Sequence, residues 1–439
     1  MLETYKHSSI KSCELWNRAL RLFPGGISHN LRTFGLDRCG AYPPFMKRGE
    51  GSYIWDVDDN KYLDFWMTHF SLILGHNHPS IREVIQTQLL EGLHFGAVNE
   101  QQVTFSEMLR EAIPGLAKMR FSTTGSEASM YAARLARLFT GKRLVAKALG
   151  GWHGGNDSLG FHLFHPFSDE PFFDGVSFDF NDCDSIDNML KEHGRDLAAV
   201  FIEPILGAGG ALTPEPDFLP YLREETEARD ILLIFDEIIT GFRLCFGSVG
   251  KTVFGVEADL LTFGKIVAGG MPLGVYGGRE DVMKLASPST TGGCWVGGGT
   301  FSSHPLSMVA GIATLERLRS LKNEYDTLNA RGDKFREKLN ELFQNERVKA
   351  LATGIGSIIF IHWLERWLDN SLITGSKIAE VLDHDRMDLF QALLIEQGIF
   401  GYHGLGAISF AHSEKDLDRA LEIVLKTTYS LKKQENHKD

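Results

Sequence analysis

The residues of this 439-residue chain best placed to do chemistry stand just beyond short apolar runs. Lys265 sits between DLLTF and a glycine-rich turn, GKIVAGGMPLG. Few solvated lysines occupy such a setting. A lysine that is desolvated or placed near a cation titrates closer to neutrality, where its amine can form a Schiff base. Asp236 ends the run ILLIFD. A carboxylate there is nearly buried and needs a cationic partner, either a protonated ring nitrogen or an arginine. Gly125 and Ser126 follow MRFST and open the helical stretch GSEASMYAARLARLF. A helix N-terminus offers unpaired N–H groups and a positive dipole end, which together bind phosphate. Trp152 lies in GGWHGG, where an aromatic ring can stack on a flat heterocycle. Thr300, after three glycines in GGGTFSSHP, precedes a helix and is a second phosphate-compatible position.

Taken singly, each has a plain structural reading: a loop lysine, an ion-paired aspartate, a helix start capped by Thr124 or Ser126, a packing tryptophan. Taken together, a phosphate cradle, an aromatic plate, a buried aspartate and an isolated lysine are the parts that pyridoxal 5'-phosphate (PLP) requires. Other motifs fall short. His76-Asn77-His78 lacks further metal ligands and reads as a loop. GGWHGG lacks the GxGxxG order and the later acid of a dinucleotide site, and no GxSxG elbow occurs. His153 either hydrogen-bonds the site or caps a turn.

These residues need a frame that brings strand ends together. Residues 9–22 read as an amphipathic helix stopped by PGGIS, followed by two strands, SYIWDVDD and KYLDFW, joined through Asp58-Asp59-Asn60. From about residue 78, helical periods alternate with the apolar runs 119–123, 143–148, 197–204, 231–237, 258–264 and 273–278. Unbroken apolar runs separated by helices imply strands covered on both faces and parallel crossovers. In such sheets ligands bind beyond the carboxyl ends of the strands. Helical patterns over 304–345 and 413–434, with IIFIHW and the strand-like AISF (407–410), form an α+β tail. The Glu/Lys-rich stretch 321–347 reads as a solvated helix face. The expected organisation is an N-terminal segment 1–75 joining the small domain, a large domain 76–325 and a C-terminal small domain 326–439.

A formal net charge of -12 gives a nucleic-acid role no electrostatic support. Five scattered cysteines, with no CxxC, read as free thiols in a reducing compartment. The N-terminus shows no apolar h-region, and no apolar run reaches a membrane span. A cytoplasmic location is expected, with neither membrane nor nucleic-acid partners.

The order of these motifs, and the spacing from Asp236 to Lys265, resembles class III aminotransferases of PLP fold type I. The nearest pattern is the group of glutamate-1-semialdehyde aminomutase and its aminotransferase relatives. LILGHNHP, RLARLFTGK, LLIFDEIITGFR, LTFGKIVAGGMPLGVYGG and the GT-SHP region carry it. The resemblance implies an α/β fold: a large domain with a mainly parallel sheet covered by helices, and a smaller α+β domain from both termini. It implies a Schiff base of PLP on Lys265, Asp236 against the pyridine N–H, Trp152 as ring plate, and Gly125 and Ser126 as phosphate cup. Glu203, in FIEP, matches a family acid near the cofactor. Thr300 matches a phosphate contact that relatives donate from the neighbouring subunit, which implies a homodimer with shared sites. Arg32 matches an arginine that grips a substrate carboxylate, through paired hydrogen bonds.

Several positions depart from the aminomutase. Ala208 stands in EPILGAGG for an asparagine, and Gly404 in YHGLGAISF for a tail glutamate. Ser303 and His304 replace the glycine and asparagine of GTLSGNP, and the stretch before LILGH reads His69-Phe70-Ser71. EPILGAGG is similar to aminotransferases of β-amino acids. Loss of groups that retain an intermediate favours transamination between an amino donor and a keto acceptor, with an intramolecular amino shift or racemisation as the alternative. His29, Arg32, His69, Phe70 and Trp152 are expected to shape the pocket.

Overall fold

The structure, a computed structural model, describes residues 2–29, 31–161, 175–368 and 373–435. The chain forms two compact units. One comprises Met1–His78, Ala330–Trp367 and Val381–Asp439, the other Pro79–Asn329 and Leu368–Glu380. In the first unit, β1 (Met46–Glu50), β2 (Tyr53–Asp56) and β3 (Lys61–Asp64) pair antiparallel in sequence order. The turn between β2 and β3 closes on one side chain: Asp56 accepts from the backbone N–H groups of Asp58 at 3.0 Å and Asn60 at 2.9 Å. The helix expected over 9–22 is present as Ile10–Ala19, and a further helix, Glu3–Ser8, precedes it. Asp58 explains the restart, because its carboxylate takes the orphan N–H groups of Lys11 at 2.7 Å and Ser12 at 2.9 Å.

The second unit is built on seven strands: β4 (Lys118–Ser122), β5 (Leu144–Ala148), β6 (Gly175–Phe178), β7 (Leu197–Ile202), β8 (Leu232–Asp236), β9 (Leu260–Gly264) and β10 (Gly274–Gly278). Their order is β4-β10-β9-β8-β7-β5-β6. From β9 to β6 the pairs are parallel, whereas β10 runs antiparallel to both β4 and β9. The cause is chain length. A parallel crossover needs about a dozen residues or more, and β9 reaches β10 through only a short turn that begins with the 3-10 helix Lys265–Ala268. Every residue of β7, β8, β9 and β10 is buried. Helix Gly125–Thr140 lays Ala128, Ala132, Leu135 and Ala136 into one core with Val145, Phe201, Ile234 and Tyr276. Each buried Leu, Ile or Phe there adds roughly 1.5–3 kcal/mol. This is the expected α/β architecture, a mainly parallel sheet in which β10 alone runs against its neighbours.

The first unit is completed by β11 (Ala350–Thr353), β12 (Ile358–Trp363), β13 (Ile399–Phe400) and β14 (Gly406–Ala407). β13 joins β3 in parallel, so the N-terminal patch is finished by C-terminal chain. β12 pairs with β11 and β14. Only the first residue of AISF lies in a strand. Residues Leu368–Glu380 group with the second unit, where Ser376 donates to Asp179. Among the described residues no helix is long and apolar enough to cross a membrane.

Within the first unit, helix Tyr325–Asn345 passes the backbone at Gly332, where a Cβ would sit 2.0 Å from the Gly356 carbonyl oxygen. Gly332→Ala sets two effects in opposition. Helix propensity alone favours alanine by about 1 kcal/mol, while displacing a backbone carbonyl costs about 1–3 kcal/mol or more. The expected result is net destabilisation, read as a lower denaturant midpoint; an unchanged or raised midpoint contradicts the packing argument.

Candidate active site

The carboxyl ends of β4, β5, β7, β8 and β9 carry the polar residues of the second unit. After β4, Thr124 caps helix Gly125–Thr140 in a capping box with Glu127. Glu127 accepts from the N–H groups of Thr123 at 2.8 Å and Thr124 at 3.0 Å, and Thr124 Oγ1 accepts from Glu127 at 3.2 Å. Of the two cap candidates it is Thr124 that caps. The N–H groups of Gly125 and Ser126 therefore remain as the open donors of the first turn. The loop after β5 closes on them: Gly154 has φ +95, and a Cβ there would lie 2.5 Å from Ser126 Cα. Only glycine fits that approach.

Asp236, the last residue of β8, is buried. Its Oδ1 accepts from Ile238 N and from Thr262 Oγ1, both at 3.0 Å. Thr262 is its register neighbour on β9. Its Oδ2 accepts from His153 Nδ1 at 2.8 Å. Burial pushes the imidazole of His153 below the ordinary histidine value, against the pull of Asp236. A carboxylate oxygen accepts, so His153 donates from Nδ1. No arginine pairs with Asp236 among the described residues. Three donors leave one lone pair of the carboxylate for a further N–H. His153 Nε2 is buried with no hydrogen-bond partner.

Lys265 begins directly after β9 and has a left-handed backbone, φ +48. Such a conformation in a residue other than glycine is strained, and strain of this kind gathers at functional sites. Burial pushes its amine below the ordinary lysine value, opposed by Asp236 and Glu203. Glu203 follows β7 and is buried; burial first, then Asp236, raises its carboxyl to about 8. It accepts from Trp152 N at 3.4 Å. One residue earlier, the Gly151 carbonyl accepts from the buried Lys147 ammonium at 2.8 Å. The loop that presents Trp152 is therefore fastened on both sides, and 37% of Trp152 stays exposed.

Gly125, Ser126, Trp152, Glu203, Asp236 and Lys265 thus come together in one unit. Thr300 is exposed in the same unit; a Cβ at its neighbour Gly299 would stand 3.5 Å from Glu127 Oε1. Arg32, His29, His69 and Phe70 belong to the other unit. Arg32 is exposed in a turn, its N–H donating to the His29 carbonyl at 3.1 Å, and His69 stacks on Trp66. His76 is hydrogen-bonded to Asp64 at 2.6 Å. Sequence reasoning left His153 open and passed over Thr262 and Lys147. A polar residue inside each of the apolar runs DLLTFG and RLVAKA was the signal.

The set fits PLP. Paired N–H groups at a helix start suit a phosphate, the remaining lone pair of Asp236 suits a ring N–H, and the Lys265 amine suits an aldehyde. The pattern of the Aminotransferase class-III family matches residues 38–160 and 164–383, well over half of the chain. The chain belongs to the class-III aminotransferases. It is a PLP-dependent enzyme of fold type I. As a class-III aminotransferase it is 36% identical over 429 residues to the glutamate-1-semialdehyde 2,1-aminomutase of Methanosarcina acetivorans, covering 94% of this chain and 97% of that protein. Among solved structures it is similar to an omega-transaminase from Sphaerobacter thermophilus, with a TM-score of 0.84 and 32% identity, covering 95% of this chain and 96% of that one. It is likewise similar to a beta-phenylalanine aminotransferase from Variovorax paradoxus, with a TM-score of 0.85 and 30% identity, covering 96% and 94%.

Glu203 gives a pH signature in the cofactor-free protein. Its folded value of about 8 lies above the ordinary 4.5. Between these limits the native state keeps a proton that the unfolded state has lost, so stability falls as pH rises, by up to about 1.4 kcal/mol per pH unit. Glu203→Gln lacks this loss. Its melting temperature should lie near that of the native chain at pH 5 and above it at pH 8. Parallel melting profiles of the two proteins across that range would refute the burial of a neutral acid.

Proposed function

We propose that this class-III aminotransferase moves an amino group on a carboxylate-bearing compound, with Lys265 as the residue that carries the cofactor and moves the proton. The observation behind this is the place of Lys265: at the end of β9, beside the strand that ends in Asp236, with its amine lowered by burial. When bound, PLP supplies an aldehyde that captures amines and a ring that accepts electrons. With PLP bound, Asp236, whose carboxylate already accepts from three donors, would accept from the ring N–H through its remaining lone pair. Lys265 Nζ would hold the cofactor aldehyde and, when free, would serve as the base that moves a proton at the carbon bearing nitrogen. Gly125 and Ser126 would hold its phosphate, and Trp152 would cover its ring. Arg32 is proposed to bind the substrate carboxylate.

The name of the curated relatives supports an intramolecular amino shift of the glutamate-1-semialdehyde kind as the first outcome of this chemistry. A second reading, transamination with release of a keto product, draws on the two solved transaminases and on Ala208 and Gly404, which stand where the aminomutase pattern has asparagine and glutamate. A β-amino acid is a candidate substrate in that case. One experiment separates them. The holoenzyme is incubated with single amino compounds, glutamate 1-semialdehyde and α-, β- and γ-amino acids among them, without any keto acceptor. A positional isomer as the product supports the shift; stoichiometric keto product with an aminated cofactor supports transamination. In both cases Lys265→Ala should lower turnover at least about a thousandfold. Full activity of that variant would end the assignment.

A homodimer is proposed as the working form. Leu90, Leu93, Phe95 and Val98 are exposed in one segment, and Trp295 and Phe301 flank Thr300 in another. His94 and Phe301 lie with ring centroids 5.5 Å apart, so the two segments meet. Apolar groups gathered in this way mark an interface. Light scattering of the holoenzyme should give twice the chain mass of 49.0 kDa; a monomer that retains full activity would overturn the proposal.

A further inference from the structure

The loop that carries Thr300 is gripped from one neighbouring segment. His94, between helices Pro79–Glu91 and Glu100–Ala112, places its Nε2 2.7 Å from the Thr300 carbonyl oxygen. A carbonyl accepts, so this nitrogen carries the hydrogen and donates. Asn99, at the other end of the same segment, donates from Nδ2 to the Ser303 carbonyl at 3.0 Å. Between them the His94 ring stacks on His304, with centroids 5.0 Å apart and planes at 10°. His304 is fixed in turn, because its Nδ1 accepts from Leu306 N at 3.3 Å and caps helix Pro305–Ser320. That acceptor role requires a neutral imidazole, and burial together with His94 lowers its pKa accordingly.

The His94 ring also bears a penalty. Its Nδ1 is buried and has no hydrogen-bond partner. A buried polar atom left unsatisfied calls for a compensating reason, and here the other nitrogen of the same ring holds a backbone oxygen of the Thr300 loop. Thr300 itself is exposed and follows three glycines, in a turn closed by Ser302 N donating to the Gly299 carbonyl at 3.0 Å. Among the described residues, the hydrogen bond to its carbonyl comes from His94.

We propose that His94 is a positioning residue that fixes the Thr300 backbone for contact with the phosphate of the cofactor, with His304 as the plate that fixes the His94 ring. This rests on the reading of Thr300 as a phosphate contact. The readout is the affinity for pyridoxal phosphate compared with that for phosphate-free pyridoxal. Both aldehydes engage Lys265, so their ratio isolates the phosphate. His94→Phe keeps a stacking ring and removes the donor; His94→Gln keeps a donor at nearly the same reach. His94→Phe should weaken pyridoxal phosphate about tenfold with pyridoxal unchanged, and His94→Gln should restore most of it. Equal weakening of both aldehydes, no weakening of either, or failure of glutamine to restore binding would each overturn the role of His94. Thr300→Val tells which premise has failed. If it leaves the ratio unchanged, the phosphate reading of Thr300 falls and His94 with it. If it lowers the ratio while His94→Phe does not, only the positioning role falls.

Discussion

Burying the Asp236 carboxylate is the constraint around which the second unit is arranged. A charge at the end of a fully apolar strand is tolerated only when its lone pairs are filled. The chain meets that demand from three directions. Ile238 N comes from the strand's own continuation, Thr262 from the adjacent strand, and His153 from the loop after β5. Each donor therefore fixes a different piece of the fold to one carboxylate. The His153 imidazole is a donor to Oδ2, and its own burial lowers its pKa against the pull of Asp236.

The same economy governs the other site residues. Glu203 is buried as a protonated acid and fastens the N–H of Trp152, while Lys147 fastens the carbonyl of Gly151. One loop is thus held by a buried acid and a buried cation at successive residues. Gly154 lets that loop lie against Ser126, which ties the aromatic plate to the phosphate cradle. Lys265 accepts a left-handed backbone as the first residue beyond β9. The short link that it begins is also what turns β10 antiparallel.

Much of this could be read from the sequence, for physical reasons that differ by residue. Asp236 announced itself because a charged residue at the end of five apolar ones has few structural explanations. Lys265 did so because glycines surround it. The helix start at Gly125 was visible from its turn residues, although the choice of Thr124 as cap depended on Glu127 reaching back. The helix from Ile10 was legible, whereas the short helix Glu3–Ser8 before it was missed, and Asp58, which separates the two by taking the N–H groups of Lys11 and Ser12, lies far away in sequence. β6 lacks a long apolar run and sits at the sheet edge, so no pattern marked it. His153 and His94 escaped ranking because an imidazole's role is set by what its two nitrogens meet, and local sequence does not encode that.

The strand order has a consequence for how the protein matures. The cradle at 125–126, the plate at 152, the acid at 236 and the lysine at 265 follow β4, β5, β8 and β9, strands separated by helices in the chain; β8 and β9 are neighbours in the sheet, β10 stands between β9 and β4, and β7 between β8 and β5. Contacts of such long sequence separation form slowly and as a group. No partial translation product that stops short of β9 can assemble the set. Capture of the vitamin-derived aldehyde thus serves as a chemical signal that this sheet has closed.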